Sequence, residues 1–593
     1  MQREDEYELL GRARSSRELE DADGILYYSE EEGHGEPNHS PSFSYPLSRP
    51  SSGFFVGIFE LCVIRKARGH HRRHSSRAGR RRRRPVCTLR RGWFPRRVCI
   101  LLAVLTALFL LFSTKPSYTI QQEPAHYHAL RAAVRGSSEP GRGNPRNEKV
   151  FIAANIINED LIRGAWGKAV VGLVELLGED NVYLSIFEND SGEGTREALV
   201  ELGRKVTCNS SIVSEHLPMG DIPSVTLPSG RKRVKRVAYL AEVRNRALRP
   251  LDRSSSPPGQ HITATTKFDK LLFINDVIFD PLDAAQLLFS TNLNPSTNLT
   301  SYRAACAVDF VLPFKFYDTF ATRDLEGYSM GLPLFPWFAN VGQAESRKDV
   351  LRGTDAVRVR SCWGGMVAFE AKWFQDMGVG EGEGEGEGEG GNMESSDRDD
   401  GDDSKPTLQT KSDMTAQTER GLTNASSISL RGPSALRLRS EPDLFWDSSE
   451  CCLVNADLQS LPPRPGNPLS PETGIYMNPF IRVAYSPFAF ASLGASTRRF
   501  ERALEPLQRL INAAVGLPWH NPRRAEVEGE EVSDRVWVYD EPTGWERGGG
   551  GRFKEVKRTA GPGGFCGVRM LLVMKEKPKK GEKRWESLPV PPT

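Results

Sequence analysis

The sequence predicts an α/β protein built on a mostly parallel central sheet, preceded by a disordered tail and one transmembrane helix. Three observations lead there. From Lys149 onward, near-continuous apolar stretches alternate with amphipathic ones, the pattern of buried parallel strands covered by helices. Several of the apolar stretches run directly into acids or amides. One uncharged apolar run stands before all of them, with arginine on one side only.

The chain has 593 residues and a net charge of +3, but neither number describes any single part of it. Residues 1–97 are polar and biased, acidic and Ser/Pro/Tyr-rich at first. They then carry "RKARGHHRRHSSRAGRRRRRP", with arginine at every position from Arg80 to Arg84. Such a segment buries too little apolar surface to offset backbone entropy, so a disordered tail is expected. A basic run of this kind would suit nucleic acid or nuclear import. The next segment argues for a membrane instead, and no nucleic-acid partner is expected.

Residues 98–114 begin "VCILLAVLTALFLLF" and contain no charge. As a helix they would rise roughly 26 Å at ~1.5 Å per residue, enough for a thin secretory-pathway bilayer. Trp93 and Phe94 sit where interfacial aromatics belong, beside Arg96 and Arg97. With the positive charge on the N-terminal side, the expectation is a single-pass type II protein of the Golgi or another secretory-pathway membrane. Its tail would be cytosolic and its folded part luminal. "FFVGIFELCVI" at 54–64 is too short to span and contains Glu60.

A luminal location gives the cysteines meaning. Six of the nine follow the anchor: Cys208, Cys306, Cys362, Cys451, Cys452 and Cys566. An oxidising lumen permits disulfides, and the spacing leaves their pairing open. None forms CxxC, so neither a zinc ribbon nor a dithiol redox motif is expected. Asn209, Asn298 and Asn424 head glycosylation sequons. Asn189 does so formally, but lies inside the expected site.

Residues 115–148, rich in Gly and Pro, read as a stem. The folded domain is expected at 149–377 and 441–578. "KVFIAANIIN" opens it as a strand. Ile162, Trp166, Ala169, Val170, Leu173, Val174 and Leu177 follow at helical spacing. "NVYLSIFEND" (181–190) is the next strand, "GTREALVELGRKV" and "RVAYLAEVRNRALRPL" are helices, and "LLFINDVIFDP" (271–281) is a strand ending in Asn275-Asp276. Residues 378–440, containing "GVGEGEGEGEGEGG", read as a flexible, self-repelling insertion. Residues 579–593 read as a second disordered tail.

In a parallel sheet, ligands bind off the C-terminal ends of the strands. Two of those ends carry Glu188, Asn189 and Asp190, and Asn275 and Asp276. A hard divalent cation takes one or two carboxylates together with substrate phosphates, so Asp276 beside a second acidic strand end suits a nucleotide-sugar site. The alternative is that Asp276 merely caps the following turn. Asp280 before Pro281 is expected to cap a helix, since Pro favours a helix's first position.

"FIAANIINEDLI", "SIFENDSGEGT", "AEVRNRAL", "LLFINDVIF", "SCWGGMVAFEA", "SSECCLVNADL" and "GIYMNPFIRVAY" occur in that order. Together they resemble the fungal capsule-associated α-1,3-mannosyltransferase family over about 149–378 and 440–575. The resemblance implies a GT-A-like fold, GDP-mannose as donor, a glycan acceptor in cell-wall, capsule or glycoconjugate synthesis, and Mn²⁺ or Mg²⁺. It implies that Glu188, Asp190, Arg244, Asn245, Asn275 and Asp276 bind the donor, with Asp276 the metal ligand. Trp363, Gly364 and Gly365 would meet the acceptor, and Glu450, Asp447 or Asp457 would activate it. "FIND" departs from the Asp-x-Asp of many GT-A enzymes by offering one carboxylate. The same departure suits a different class of protein, a non-catalytic membrane-anchored factor for polysaccharide assembly or export, or a membrane-anchored lectin.

Overall fold

The computed structural model describes residues 100–107, 123–252, 266–334, 337–375, 435–461, 473–493, 498–540, 550–578 and 582–592. All of the expected N-terminal tail, part of the expected anchor and nearly all of the expected insertion, Asn424 included, lie outside these residues. Residues 100–107 are helical and exposed, and belong to a separate unit. Among the described residues no helix is long and apolar enough to cross a membrane. The single-pass topology therefore stays an expectation.

The folded unit is organised by one mixed sheet. Its strands are β1 (Val150–Ala154), β2 (Val182–Glu188), β3 (Asn209–Ser214), β4 (Lys270–Ile274), β5 (Ala304–Leu312), β6 (Lys315–Phe316), β7 (Arg323–Asp324), β8 (Val357–Ser361), β9 (Met366–Glu370) and β10 (Ile475–Ala484). They are ordered β3-β2-β1-β4-β9-β5-β10-β8-β7, with β6 on β5. The first four are parallel. β9 runs antiparallel between β4 and β5, and β10 is again parallel to β5. All the residues of β1, β4 and β10 are buried, as strands covered on both faces must be.

Helix α1 (Tyr127–Gly136) lies ahead of β1. Then follow α2 (Glu159–Arg163), α3 (Ala165–Leu177), α4 (Glu193–Lys205), α5 (Arg236–Leu248) and α6 (Pro281–Ser290). The seven apolar positions expected on one helix are all buried, but on two helices. The chain breaks at Gly164, where a Cβ would stand 2.6 Å from the Asp160 carbonyl oxygen. Asn158 caps α2 by accepting from the Leu161 N–H at 3.0 Å. Asp280 caps α6 as expected, its Oδ1 accepting from the Leu282 N–H at 2.8 Å, with Pro281 at the first position. After α7 (Glu345–Arg352), the chain resumes with α8 (Glu450–Ser460), α9 (Pro487–Ser492) and α10 (Arg498–Val515). Ser449 stands at the N-cap position of α8, without a side-chain capping bond.

Two boundaries differ from expectation. The stem is partly inside the fold. Tyr127 is buried, its hydroxyl accepts from Asn478, and its carbonyl accepts from Gln286 at 2.9 Å. The composition of 115–148 is polar, and two buried residues on α1 suffice to dock it. The C-terminal tail is also structured, because Trp585–Ser587 pairs antiparallel with Leu572–Met574. Its Lys- and Pro-rich surroundings mask that short strand. Two disulfides, Cys306–Cys362 and Cys452–Cys566, settle the pairing the sequence left open, and Cys208 and Cys451 are buried outside both bridges. Asn209 and Asn298 are exposed, whereas Asn189 is buried.

His126, just before α1, lies 3.0 Å from Asp355. Burial alone would lower its pKa, but the hydrogen bond and charge of Asp355 carry it above the ordinary imidazole value. A raised histidine pKa adds stability below about pH 6.5, lost as pH climbs through the folded value. His126→Ala is thus expected to lower the melting temperature more at pH 5.5 than at pH 8. Equal losses at both would show that this ion pair does not fasten α1.

Candidate functional site

The C-terminal ends of β1, β2 and β4 open on the same side of the sheet, and amide side chains tie them together. Asn155, directly after β1, donates to the Phe187 carbonyl at 3.0 Å and to the Val243 carbonyl of α5 at 3.1 Å. It joins β2 to α5 and was not among the expected site residues. Asn275, directly after β4, is fixed on three sides. Its N–H donates to Gly365 O at 2.9 Å, its carbonyl accepts from Trp166 Nε1 at 2.9 Å, and its Oδ1 accepts from Trp363 Nε1 at 3.1 Å. Asp276 follows it, also buried. The Asn-Asp turn therefore has a set orientation, with Asp276 on the chain segment that leaves the strand.

From Asn275 a connected wall extends to the second half of the domain. The Arg244 guanidinium stands 5.4 Å from the centre of the Trp363 ring, and Arg244 is ion-paired with Glu450 at the start of α8. Arg244, Asn275, Asp276, Trp363 and Glu450 are thus brought together from α5, β4, the β8–β9 turn and α8. All five are expected site residues. The wall is buried, and Trp363 is not an open plane for a sugar. It packs on Phe273 at 5.2 Å between centroids and is 3% exposed.

Gly364 and Gly365 do permit a close approach, but to the protein's own sheet. Both have positive φ, and a Cβ at Gly364 would lie 1.9 Å from the Ala307 carbonyl oxygen. The turn is clamped by Asp318, which accepts from the N–H groups of Trp363 and Gly364 at 2.9 and 3.1 Å. Cys362, bridged to Cys306 of β5, fixes the residue before it.

The other expected residues are occupied. Glu188 accepts from the N–H of Ser191 at 2.8 Å and from the hydroxyls of Ser191 and Ser214, closing the turn after β2. Asn189 donates to Tyr239 Oη at 2.9 Å. Asp190, at φ 57°, lies 2.7 Å from His216 Nδ1. Burial would raise its pKa, but bonds from His216, Asn189 and Leu217 outweigh that and hold it below the usual carboxylate value. Asn245 exchanges two 2.8 Å bonds with the backbone of Leu438, so it anchors the returning chain.

Each proposed acceptor-activating acid is already in an ion pair. Asp457 is held by Arg439 through bonds of 2.9 and 2.8 Å. Asp447 lies fully buried, 2.7 Å from Lys235, and accepts from the Leu572 N–H at 2.8 Å. Lys235 also donates to the carbonyls of Glu441, Asp443 and Trp446, so this pair fastens the segment leading into α8. Burial raises the Asp447 carboxyl above its ordinary value even beside Lys235. Glu450 faces Arg244.

A second carboxylate near the turn was not among the expected site residues. Asp309 of β5 is buried, and a Cβ on Gly365 would approach its Cβ to 3.3 Å. It accepts from Tyr485 Oη and from the Asp318 N–H, both at 3.0 Å. Burial, then the charge of Asp318, pushes its carboxyl up to about 8. The signal was in "CAVDFVLP", an apolar strand interrupted by an acid just as in "LLFIND". A cavity of about 240 Å³ lies elsewhere, between α2, α3 and α4, and none of these residues lines it.

The profile of the family described as Cryptococcal mannosyltransferase 1 matches residues 149–457, just over half the chain and every element of the wall. The chain belongs to that family. It is therefore a glycosyltransferase-family protein, and its fold is the mixed α/β sheet described above. Among solved structures, mannosyltransferase PcManGT from Pyrobaculum calidifontis, in complex with GDP-Man and Mn²⁺, aligns at 13% identity. That alignment covers 46% of this chain and 56% of the other, with a TM-score of 0.21. A mycobacterial protein aligns at 12% over 75% and 89%, with a TM-score of 0.23. Glucosyl-3-phosphoglycerate synthase from M. tuberculosis aligns at 15% over 44% and 65%, with a TM-score of 0.19. Scores this low carry no weight for the site. No curated protein matches the chain.

Proposed function

We propose that this family member transfers mannose from GDP-mannose to a glycan acceptor, forming an α-1,3 linkage on the luminal side of a secretory-pathway membrane. The observation that supports this reading best is the oriented Asn275-Asp276 turn at the end of β4, joined through Trp363 to Arg244 and Glu450. A carboxylate directly after β4 and an arginine against Trp363 are the charges that a cation-bound diphosphate donor would call for.

Among the described residues no three His, Cys, Asp or Glu side chains cluster to cage a metal. The donor set fits the other mode of binding, in which one protein carboxylate, Asp276, shares the cation with diphosphate oxygens. Bound there, Mn²⁺ or Mg²⁺ would neutralise charge on the departing nucleoside diphosphate. Asn275 holds the turn, and Trp363 and Arg244 close its side against water. With Asp447, Glu450 and Asp457 each balanced by a cation, none stands as a nucleophile. If an α-mannoside forms from an α-linked donor, configuration is retained. A same-face displacement then accounts for the chemistry: the C–O bond to the diphosphate breaks, the acceptor oxygen bonds to the anomeric carbon, and the leaving phosphate takes the acceptor proton. The protein's part is placement of the two partners.

The test is turnover of a panel of nucleotide sugars by the full-length protein, with Mn²⁺ and with chelator. GDP-mannose is expected to be consumed fastest and chelator to stop it. No turnover of any donor would replace this reading with a non-catalytic factor for polysaccharide assembly. A fragment beginning at residue 140 would lack α1 and is unsuited to the assay.

A further inference from the structure

The C-terminal segment 582–592 does not trail away from the domain but folds back over the end of β2. Its strand Trp585–Ser587 pairs with Leu572–Met574, and Lys575 N donates to Arg584 O at 2.7 Å. Val573 in turn bridges to Lys235, directly before α5. Arg233, buried, clamps the segment by donating to Met574 O and pairing with Glu586 at 2.6 Å. The half-buried Trp585 ring carries the Arg236 guanidinium at 5.2 Å and the Lys583 ammonium at 5.6 Å. Arg584 is exposed and donates to the backbone carbonyl of Asp190.

These contacts converge on one place. Asp190 lies in the turn two residues after β2 and Arg236 begins α5, the helix that lower down presents Arg244 to Trp363. The segment therefore spans the rim between the β2 turn and the head of α5. It brings an exposed guanidinium and an aromatic ring that holds two cations over it, a cationic set of the kind that takes a diphosphate. We propose that residues 582–592 form a strap that roofs the donor site, with Arg584 and Trp585 setting affinity for the nucleoside diphosphate. The proposal rests on the donor reading above and extends it to residues beyond the family match, which ends at residue 457.

The test uses the full-length protein with GDP and Mn²⁺. GDP is expected to raise the melting temperature of the wild type and to slow tryptic cleavage after Arg584 by about tenfold. Arg584→Ala and Trp585→Ala should each raise KM for the donor about tenfold with kcat within about twofold, the pattern of lost uniform binding. Arg584→Lys should recover part of that loss. If GDP stabilises the wild type while cleavage after Arg584 and both KM values stay unchanged, the strap is structural only and the donor reading stands. If neither GDP nor any other nucleoside diphosphate stabilises the protein, the donor reading fails and the strap's role falls with it.

Discussion

Asp276→Asn is expected to reduce sugar transfer by on the order of 10²-fold or more while leaving the fold intact. The substitution keeps the size of the side chain and removes the strand-end carboxylate that would share a cation with the diphosphate. The bonds that Asn275 accepts from Trp166 and Trp363 are made by Asn275 itself. Asp280→Asn provides the contrast. Asp280 accepts from the Leu282 N–H as the cap of α6, and Asn caps nearly as well, so transfer and melting temperature should barely move. Turnover with Mn²⁺, read beside melting temperature with and without GDP-mannose, decides the matter. Near-normal turnover in Asp276→Asn, with donor stabilisation still metal-dependent, would make the carboxylate structural.

The second large effect concerns Asp309 and pH. Its carboxyl is pushed up to about 8 by burial and by the Asp318 charge. The folded protein thus retains a proton that the unfolded chain releases near pH 4, and stability falls as pH rises from that value toward 8. Asn cannot ionise; its oxygen can accept from the Asp318 N–H, and its amide can donate to Tyr485 Oη in place of the bond that Asp309 accepts from it. Relative to wild type, Asp309→Asn should gain several kcal/mol of stability, to order of magnitude, between pH 5 and pH 9. Denaturant titrations at the two pH values measure this. Parallel stability curves for the two proteins would mean that Asp309 is ionised in the fold at neutral pH, contrary to its surroundings.

Local pattern made much of the sheet legible. The apolar runs at 150–154, 182–188 and 270–274 are strands because residues buried on both faces leave no polar alternation, and their polar ends mark where burial stops. Asp280-Pro281 was legible for the same local reason. What stayed hidden depends on contacts between distant segments. Nothing around Trp363 reveals that its ring turns inward onto Phe273 rather than toward a sugar. The three acids of 447–457 look available until Lys235, Arg244 and Arg439 arrive from elsewhere. The short strand at Trp585 needed Leu572–Met574 beside it to be seen. Asp309 is different, since an acid inside the apolar run "CAVDFVLP" is itself a signal in the sequence.

The place of β10 in the sheet governs how the protein is made. β5 and β8 are both synthesised well before Ile475–Ala484, yet β10 lies between them, fully buried. During translation the nascent chain presents two β edges with nothing yet to join them. Exposed edges of this kind recruit other chains. The Cys306–Cys362 bridge can close in that interval and hold the two waiting strands near one another, whereas Cys452–Cys566 can close only after the gap is filled. Biogenesis therefore passes through a half-built sheet. A disulfide made in that interval would tie the half-built sheet together until the last fifth of the chain emerges.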